Sequence, residues 1–170
     1  MPATPRDMTV GHFRITQAQP RDIGAIKNLF IEYSNSLGFG LEFQNFSSEL
    51  ATLPGEYAAP NGELLVAKAG RQVAGCVGLR KLDERTCEMK RLYVRPGFRG
   101  RDVGRNLVRS IVLRAKEMGY REMRLDTVPS MVEAQALYES LGFVEAPPYR
   151  DNPVRGVRFM KLDLTTFASQ

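Results

Sequence analysis

The sequence lacks several features that would assign it to particular classes of protein. It has no tryptophan, one histidine and two cysteines among its 170 residues. A lone histidine, His12 near the start of the chain, argues against the usual histidine-containing metal sites, and we expect no metal. Two cysteines do not make a disulfide framework, so we expect Cys76 and Cys87 to be reduced core residues of a cytoplasmic protein.

Long apolar runs are also missing. No stretch approaches the roughly 20 apolar residues that span a membrane, and Met1–Val10 contains two prolines, an acid and no apolar centre. We therefore expect no membrane partner and no signal peptide. We expect residues 1–10 to form a flexible tail and residues 11–166 to form a single domain, since this length suits one hydrophobic core.

The net charge of +5 is concentrated in the middle of the chain. Residues 80–121 contain thirteen Lys and Arg but only five Asp and Glu. Such a positive field suits a polyanionic partner, which could be a nucleic acid or a small phosphorylated cofactor. Charge alone does not choose between the two, but no aromatic stacking pattern interleaves the arginines, which argues against a nucleic acid.

The spacing of apolar residues predicts an α/β fold. We expect a mixed, mostly antiparallel sheet of six to seven strands with about four helices, in the order β-α-α-β-β-β-α-β-α-β-β. The expected strands are His12–Gln17, Glu63–Ala69, Gln72–Lys81, Cys87–Val94, Arg121–Asp126, Phe143–Ala146 and Val157–Leu164. The expected helices are Asp22–Ser36, Phe43–Leu53, Asp102–Met118 and a last helix that runs from an S-x-x-E capping box at Ser130–Glu133 to Leu141.

A turn rich in glycine and arginine joins the strand Cys87–Val94 to the next helix. Helix N-termini carry unpaired N–H groups and partial positive charge, so they attract phosphate. Gly100 and Gly104 would let the backbone approach a ligand, and Arg99 and Arg101 would add phosphate donors. Neither a Walker A pattern nor G-x-G-x-x-G is present. The alternative is a charged helix start that binds nothing.

Two motifs together resemble the GNAT family of acyl-CoA-dependent N-acetyltransferases. The first is V-R-P-x-x-R-G-x-x-x-G at Val94–Gly104, and the second is A-L-Y-E-S-L-G-F at Ala136–Phe143. The order of elements is similar to that family's along almost the whole chain. The resemblance implies the GNAT fold, acetyl-CoA as co-substrate, and direct transfer of the acetyl group to a primary amine of a small molecule in a ternary complex.

The resemblance also implies where the co-substrate lies. Pantetheine would lie against the strand end Leu92–Val94, and the pyrophosphate on the amides of Arg99–Arg105. The implied cofactor-binding residues are Leu92, Tyr93, Val94, Arg99, Gly100, Arg101, Asp102, Val103, Gly104, Arg105, Met131, Ala134 and Tyr138.

Two of these positions depart from the family's pattern. Asp102 stands where a glycine is usual, and Met131 where an asparagine often bonds pantetheine. We expect the Asp102 side chain to cap the helix and point away from the pyrophosphate while its amide still serves the cofactor. At Met131 we expect weaker anchoring, because methionine cannot replace that bond.

Three residues are the implied catalytic groups. Tyr138 would be the acid that protonates the leaving thiolate. Strand alternation places Glu88 on the face of Leu92 and Val94, where a family glutamate acts as base through water; the alternative is a cross-strand ion pair. Asp126 is the second choice of base, and its alternative is a turn-forming acid.

The acceptor would lie between the first two helices and the late loop. Aromatic and arginine side chains there would suit a small amine with a carboxylate or an aromatic group; the alternative is core packing for the phenylalanines and solvated charge for the arginines. A non-catalytic acyl-CoA sensor and a nucleic-acid-binding module remain alternative functions. Dimerisation is common in such folds, and the sequence does not decide it. The aromatic and arginine residues that we expect around the acceptor are Phe39, Phe43, Phe46, Tyr57, Tyr149, Arg150, Arg155 and Arg158.

Overall fold

The computed structural model of the chain describes residues 7–41 and 45–168. The predicted α/β fold is confirmed, and from the second strand onward the elements follow the predicted order. The strands are β1 (Met8–Val10), β2 (Phe13–Gln17), β3 (Glu63–Ala69), β4 (Gln72–Lys81), β5 (Thr86–Val94), β6 (Glu122–Thr127), β7 (Val144–Glu145) and β8 (Arg158–Asp163). The helices are α1 (Ile23–Ser36), α2 (Phe46–Thr52), α3 (Val103–Glu117) and α4 (Val132–Ser140).

The strands form one sheet in the order β1-β2-β3-β4-β5-β6-β8-β7. Neighbouring strands are antiparallel except β5 and β6, which are parallel and are joined through α3. A parallel pair needs such a crossover because the chain has to return to the same end of the sheet. Among the described residues, no helix is both long and apolar enough to cross a membrane.

The sheet has one strand more than expected, because part of the predicted tail is a strand. Met8–Val10 pairs with β2, with Met8 opposite Ile15 and Val10 opposite Phe13. The turn between them contains Gly11 at φ +57°, a conformation that glycine adopts without strain. Residues 1–6 of the predicted tail, and Phe43 of the predicted second helix, lie outside the described residues.

Helices cover both faces of the sheet. α1 packs Ile26, Leu29 and Phe30 against one face, as its apolar spacing predicted. α3 packs Leu107 and Ile111 against the other, beside α4. All five side chains have no exposed surface, and burying each stabilises the fold by about 1.5–3 kcal/mol. The sheet is therefore sandwiched, and its central strands are inaccessible except where neighbouring strands part.

A β-bulge interrupts β5. Cys76 pairs with Tyr93 and Gly78 with Lys90, so two residues of β5 stand opposite one residue of β4. Arg91 takes the strained position, with φ +61°. A left-handed conformation costs a non-glycine residue about 1–2 kcal/mol, so other contacts of this arginine have to stabilise the bulge.

The bulge reverses the alternation of side chains along β5. Met89 and Leu92, three residues apart, both belong to the core on the α3 face. Tyr93 belongs to the core on the α1 face. The prediction that Glu88 shares a face with Leu92 is therefore wrong, because one extra residue shifts the two-residue period.

The predicted capping box at the start of α4 is also wrong. The N-cap is Met131 rather than Ser130, and no side chain caps the helix. With Met131 as N-cap, the third helical residue is Ala134 rather than Glu133, so the reciprocal bonds of a capping box cannot form. Instead, the Gln135 side chain donates a hydrogen bond of 2.8 Å to the carbonyl oxygen of Val128.

Asp102 begins α3 but does not cap it with its side chain, contrary to expectation. Its φ is +61°, its side chain is exposed, and it accepts no capping hydrogen bond. Its carbonyl oxygen instead accepts bonds from the backbone N–H of Asn106 at 3.0 Å and from its side-chain amide at 2.7 Å. The left-handed conformation explains why glycine suits this position, and aspartate is among the residues that tolerate it best.

Because the Asp102 side chain contributes no capping bond, its backbone conformation should dominate the effect of substitution. We expect Asp102→Gly to be more stable than Asp102→Ala by about 1 kcal/mol, since alanine is strained at positive φ and glycine is not. Urea unfolding of both variants and the parent measures the difference. An alanine variant as stable as the glycine variant would contradict the left-handed turn.

Candidate active site

The strands β5 and β6 part after three residue pairs. Thr86, Cys87 and Glu88 pair with residues 122–124 of β6, and no β5–β6 pair follows. Beyond that point, β6 pairs only with β8 on its other side. The separation opens a narrow cavity in the middle of the sheet. Its walls are Tyr33, Met89, Lys90, Arg91, Leu92, Leu125, Asp126, Thr127, Met131 and Tyr138.

Tyr138 reaches this cavity from α4. The side chain is 5% exposed and packs against Phe143, with ring centroids 5.6 Å apart. Burial raises the pKa of its hydroxyl well above the usual range, so the group is protonated at neutral pH and can donate a proton or a hydrogen bond. Within the part of the chain that the structure describes, this hydroxyl makes no hydrogen bond.

Two polar residues of β6 border the same cavity. Asp126 accepts a hydrogen bond of 3.1 Å from the side-chain amide of Asn152, in the loop before β8. The hydroxyl oxygen of Thr127 is buried and has no hydrogen-bond partner among the described residues. An unpaired buried hydroxyl costs roughly 1–3 kcal/mol, so a ligand that supplies a partner in the cavity would bind with that advantage. Thr127 was not singled out from the sequence.

The turn before α3 presents bare backbone. Gly100 has φ +79°, and a Cβ placed there would meet no atom within 4 Å. At Gly104 a Cβ would lie 3.7 Å from Val94 and 3.8 Å from Leu137, an ordinary contact. The protein's own packing therefore does not require glycine at either position. No side chain caps α3, so the first N–H groups of the helix remain without intrahelical partners.

Arginines give this turn an uncompensated positive charge. Among the described residues, Arg99, Arg101 and Arg105 form no ion pair with a carboxylate. Arg99 donates from Nε to the carbonyl oxygen of Val94 at 2.8 Å, and its guanidinium lies 5.7 Å from the centre of the Tyr93 ring. Free amides, open glycines and unpaired guanidinium groups fit a diphosphate.

Most of the other predicted cofactor residues lie in the cavity or on the α3 face of the sheet. Leu92 and Met131 line the cavity, and Val94 and Ala134 pack at the edge of the core on the α3 face. Tyr93 is the exception, because the bulge directs its ring toward α1, 6.3 Å from the ring of Tyr33. Its ring is therefore directed away from the α3 face, and cofactor binding by Tyr93 stays a prediction. Val103 is buried in the core beneath the turn.

The Glu88 side chain is fully buried and is not one of the cavity walls. Its side chain has no exposed surface, and its Oε1 accepts a bond of 2.6 Å from Nε of Arg80. Its Oε2 contacts the hydroxyl of Tyr149 and the guanidinium of Arg150, both in the loop before β8. With both oxygens occupied, Glu88 forms the cross-strand ion pair that the sequence left as its alternative. It anchors the late loop to the sheet.

Arg91, one of the cavity walls, is bonded to α2. Its guanidinium donates two bonds to Glu49, at 2.8 and 3.0 Å, and lies 5.4 Å from the ring centre of Phe46 and 5.8 Å from that of Tyr33. Bidentate and cation–π contacts of this kind are strong because the guanidinium is planar. They offset the strain of the positive φ at Arg91, so the bulge and the position of α2 are coupled.

Lys90 is the most unusual ionisable group in the cavity. It is 6% exposed, and burial, followed by the charges of Arg91 and Arg80, lowers its pKa to about 7. Lys90 was not singled out from the sequence, although Glu88, Lys90 and Arg91 are three charged residues inside one predicted strand. Buried charges at such density indicate a functional or structural network.

The predicted absence of a metal site stays a prediction. Over residues 7–41 and 45–168, no group of three or more His, Cys, Asp or Glu side chains could hold a metal ion. Cys76 and Cys87 are buried and unpaired by disulfides, as expected.

Known proteins are similar to this chain in sequence and in fold. A model of the acetyltransferase (GNAT) family matches residues 25–143. An uncharacterised N-acetyltransferase of Schizosaccharomyces pombe is 40% identical over 86% of this chain and 91% of its own. A GNAT-family acetyltransferase of Staphylococcus aureus has a TM-score of 0.75 at 21% identity, over 89% of this chain and 99% of its own. The yncA protein of Salmonella typhimurium, solved with acetyl-CoA, has a TM-score of 0.65 at 22% identity, over 94% and 98%.

We expect Glu88→Gln to destabilise the protein by about 3 kcal/mol, because it removes one charge from a buried ion-pair network and leaves its arginine partners uncompensated. Urea unfolding gives the free energy. Glu84→Gln is the matched control, since Glu84 pairs with Lys81 at the surface with 88% of its side chain exposed, and its loss should stay below about 1 kcal/mol. Equal effects in the two variants would contradict the network.

We expect Lys90→Met to stabilise the protein by a few kcal/mol near pH 7. The pKa of Lys90 is about 7 when folded but near 10.4 when unfolded, so the unfolded chain binds more protons between those values. The stability of the parent should therefore rise with pH across that window, and the gain of the variant should shrink. Unfolding at several pH values measures this, with Lys81→Met as the control, since the Lys81 side chain keeps 33% of its surface exposed. If Lys90→Met is no more stable than the parent, or if its gain in stability does not depend on pH, the claim that Lys90 is buried with a lowered pKa is wrong.

Proposed function

The chain belongs to the acetyltransferase (GNAT) family, and on that premise we propose that it transfers the acetyl group of acetyl-CoA to a primary amine of a small molecule. The observation that carries the proposal is one arrangement: an uncapped, arginine-rich helix start lies at the end of β5, and the cavity that holds Tyr138 opens beside the same strand. The first feature suits a diphosphate and the second an acyl group with its acceptor.

The proposed placement of acetyl-CoA follows from this arrangement. The amides of residues 100–105 would hold the diphosphate, with Arg99, Arg101 and Arg105 as side-chain donors. The pantetheine arm would lie against Leu92–Val94 and pass Met131 and Ala134. Because the Met131 side chain cannot form the usual hydrogen bond, the buried hydroxyl of Thr127 is the group we expect to supply a polar contact there.

The proposed chemistry is direct attack of the amine on the thioester carbonyl carbon. The new C–N bond forms as the C–S bond breaks, the amine loses one proton, and the leaving thiolate gains one. A free thiol has a pKa of about 8.5, so protonation of the thiolate by Tyr138 would assist its departure. The raised pKa of Tyr138 makes it a donor that stays protonated, although a modest acid.

The amine has to lose its proton before it attacks. An ammonium with a pKa near 10.4 is about one part in a thousand neutral at pH 7.4, which corresponds to roughly 4 kcal/mol. Asp126 is the carboxylate that lines the cavity, and we propose that it receives the ammonium and passes its proton to water. Glu88, with both oxygens occupied, does not serve as the base in this scheme.

The basic middle of the chain is less suited to a nucleic acid than its composition indicated. Several of its arginines pair with carboxylates that lie outside residues 80–121, which removes much of the positive field. These pairs are Arg80–Glu56, Arg91–Glu49, Arg95–Glu32 and Arg114–Glu63. Three arginines without an ion pair among the described residues, Arg99, Arg101 and Arg105, lie together at the turn before α3, and such a local cluster suits one diphosphate better than a polymer.

We expect Tyr138→Phe to lower kcat by about tenfold to a hundredfold while acetyl-CoA still raises the melting temperature by the same amount, since only the proton donor is lost. Thiol release from acetyl-CoA with a panel of amino acids, amino sugars and polyamines measures turnover. Tyr120→Phe is the control, because its hydroxyl bonds Asn61 away from the cavity. Unchanged kcat in Tyr138→Phe would remove this tyrosine from the mechanism, and a heat shift without turnover would favour an acyl-CoA sensor.

A further inference from the structure

We propose that the amine acceptor carries a carboxylate close to its amino group, as an amino acid does, and that a cationic depression beside the cavity binds that carboxylate. This inference rests on the proposed function, whose acceptor it specifies. The depression is formed by Asn45, Arg80, Lys90, Tyr149, Arg150 and Asp151.

The depression and the cavity are neighbours. Lys90 lines both of them; Asp126 and Tyr138 are further walls of the cavity, and Arg150 is a further wall of the depression. Nε of Arg150 lies 3.9 Å from Oδ2 of Asp126, so a molecule whose amine binds beside Asp126 would have its neighbouring atoms close to Arg150. An anionic group at that point would be bound by cations while the amine stays at the reacting carbonyl.

Positive charge dominates the depression. Arg80 from β4, Lys90 from β5 and Arg150 from the late loop contribute three cations, and Asp151 contributes one carboxylate at the rim. Arg80 and Arg150 share Glu88 beneath them. Arg80 also pairs with a second carboxylate, but that residue is 72% exposed, and exposed pairs contribute little.

One guanidinium donor of Arg150, a residue that lines the depression, has no partner among the described residues. Nε of Arg150 is buried and makes no hydrogen bond within the described residues. The carboxylate of Asp126 is 3.9 Å away, beyond hydrogen-bond distance. A buried donor attached to a charged group is costly to leave unpaired, and a ligand carboxylate is the group that a guanidinium binds best.

The cations also repel one another. Burial first, and then the charge of Arg80 among others, lowers the pKa of Arg150 to about 10 and that of Lys90 to about 7. Around Lys90 the facing charges are Arg91, Arg80, Glu49 and Asp126. A bound carboxylate would offset this repulsion and restore the charged form of Lys90. A polyamine would place a further cation beside these groups, which the same electrostatics disfavours.

Paired acceptors test the inference. Thiol release from acetyl-CoA is measured with phenylalanine against phenethylamine, and with lysine against cadaverine, each pair differing by one carboxylate. We expect kcat/KM to be at least about tenfold higher for the member with the carboxylate. Equal or faster turnover of phenethylamine and cadaverine would overturn the inference and leave the proposed function standing. No turnover of any amine would overturn both, and the absence of a heat shift with acetyl-CoA would place the failure at cofactor binding.

Variants locate the carboxylate site. Arg150→Gln should raise KM for phenylalanine by about tenfold, with KM for acetyl-CoA and for phenethylamine unchanged. Arg71→Gln is the control, an exposed arginine in the turn between β3 and β4. Because Arg150 also contacts Glu88, Lys90→Met is the second variant, which removes a cation of the depression without breaking that pair, and it should raise the same KM. If both variants leave KM for phenylalanine unchanged, the depression does not bind the acceptor.

Discussion

The extra residue in β5 is the constraint on which the site depends. With two residues opposite one of β4, the strand changes which face its side chains occupy, and Arg91 sits at φ +61°. Beyond the bulge β5 no longer pairs with β6, and the cavity lies in that separation. A regular strand would continue the ladder and close the sheet. The same residue that bears the strain bonds Glu49, so α2 is fixed where the cavity opens.

Charge inside the sheet has a structural and a functional part. Glu88, fully buried, joins β4 to the late loop through two arginines and a tyrosine, and this gives the loop a defined position. Lys90, two residues on, is also buried, and burial first, followed by the charges of Arg91 and Arg80, lowers its pKa to about 7. The first arrangement stabilises the fold, whereas the second is the one that we propose a ligand carboxylate would stabilise. A buried charged residue that lowers the stability of the fold is expected at a functional site.

Much of the fold could be predicted from the sequence because the apolar residues of each central helix or strand recur at the spacing typical of that element. α1 and α3 show the helical spacing, and β3, β4 and β5 begin and end within one residue of their predicted bounds. The strand β1 was missed because three residues beside two prolines carry almost no periodic signal. The capping box was predicted one residue too early, and a local sequence pattern does not define a helix end to within one residue.

The site residues that belong to sequence motifs could be predicted, whereas those brought together only by tertiary contacts could not. The turn at residues 99–105 and Tyr138 belong to two short motifs, and the structure places them at the start of α3 and in the wall of the cavity; their roles stay predictions. No glycine marks the bulge, because an arginine occupies the left-handed position, so the face of Glu88 was assigned incorrectly. Tyr149 and Arg150 reach Glu88 from about sixty residues further along the chain, and no spacing rule could have linked them.

Hydrogen–deuterium exchange with and without CoA tests the central claim most directly. If the uncapped start of α3 binds the diphosphate, the amides of residues 100–105 should exchange more slowly when CoA is present, because each would then donate a hydrogen bond. The end of β5, at residues 92–94, should be protected with them. Slower exchange confined to other parts of the chain, or no change at a saturating CoA concentration, would contradict the account.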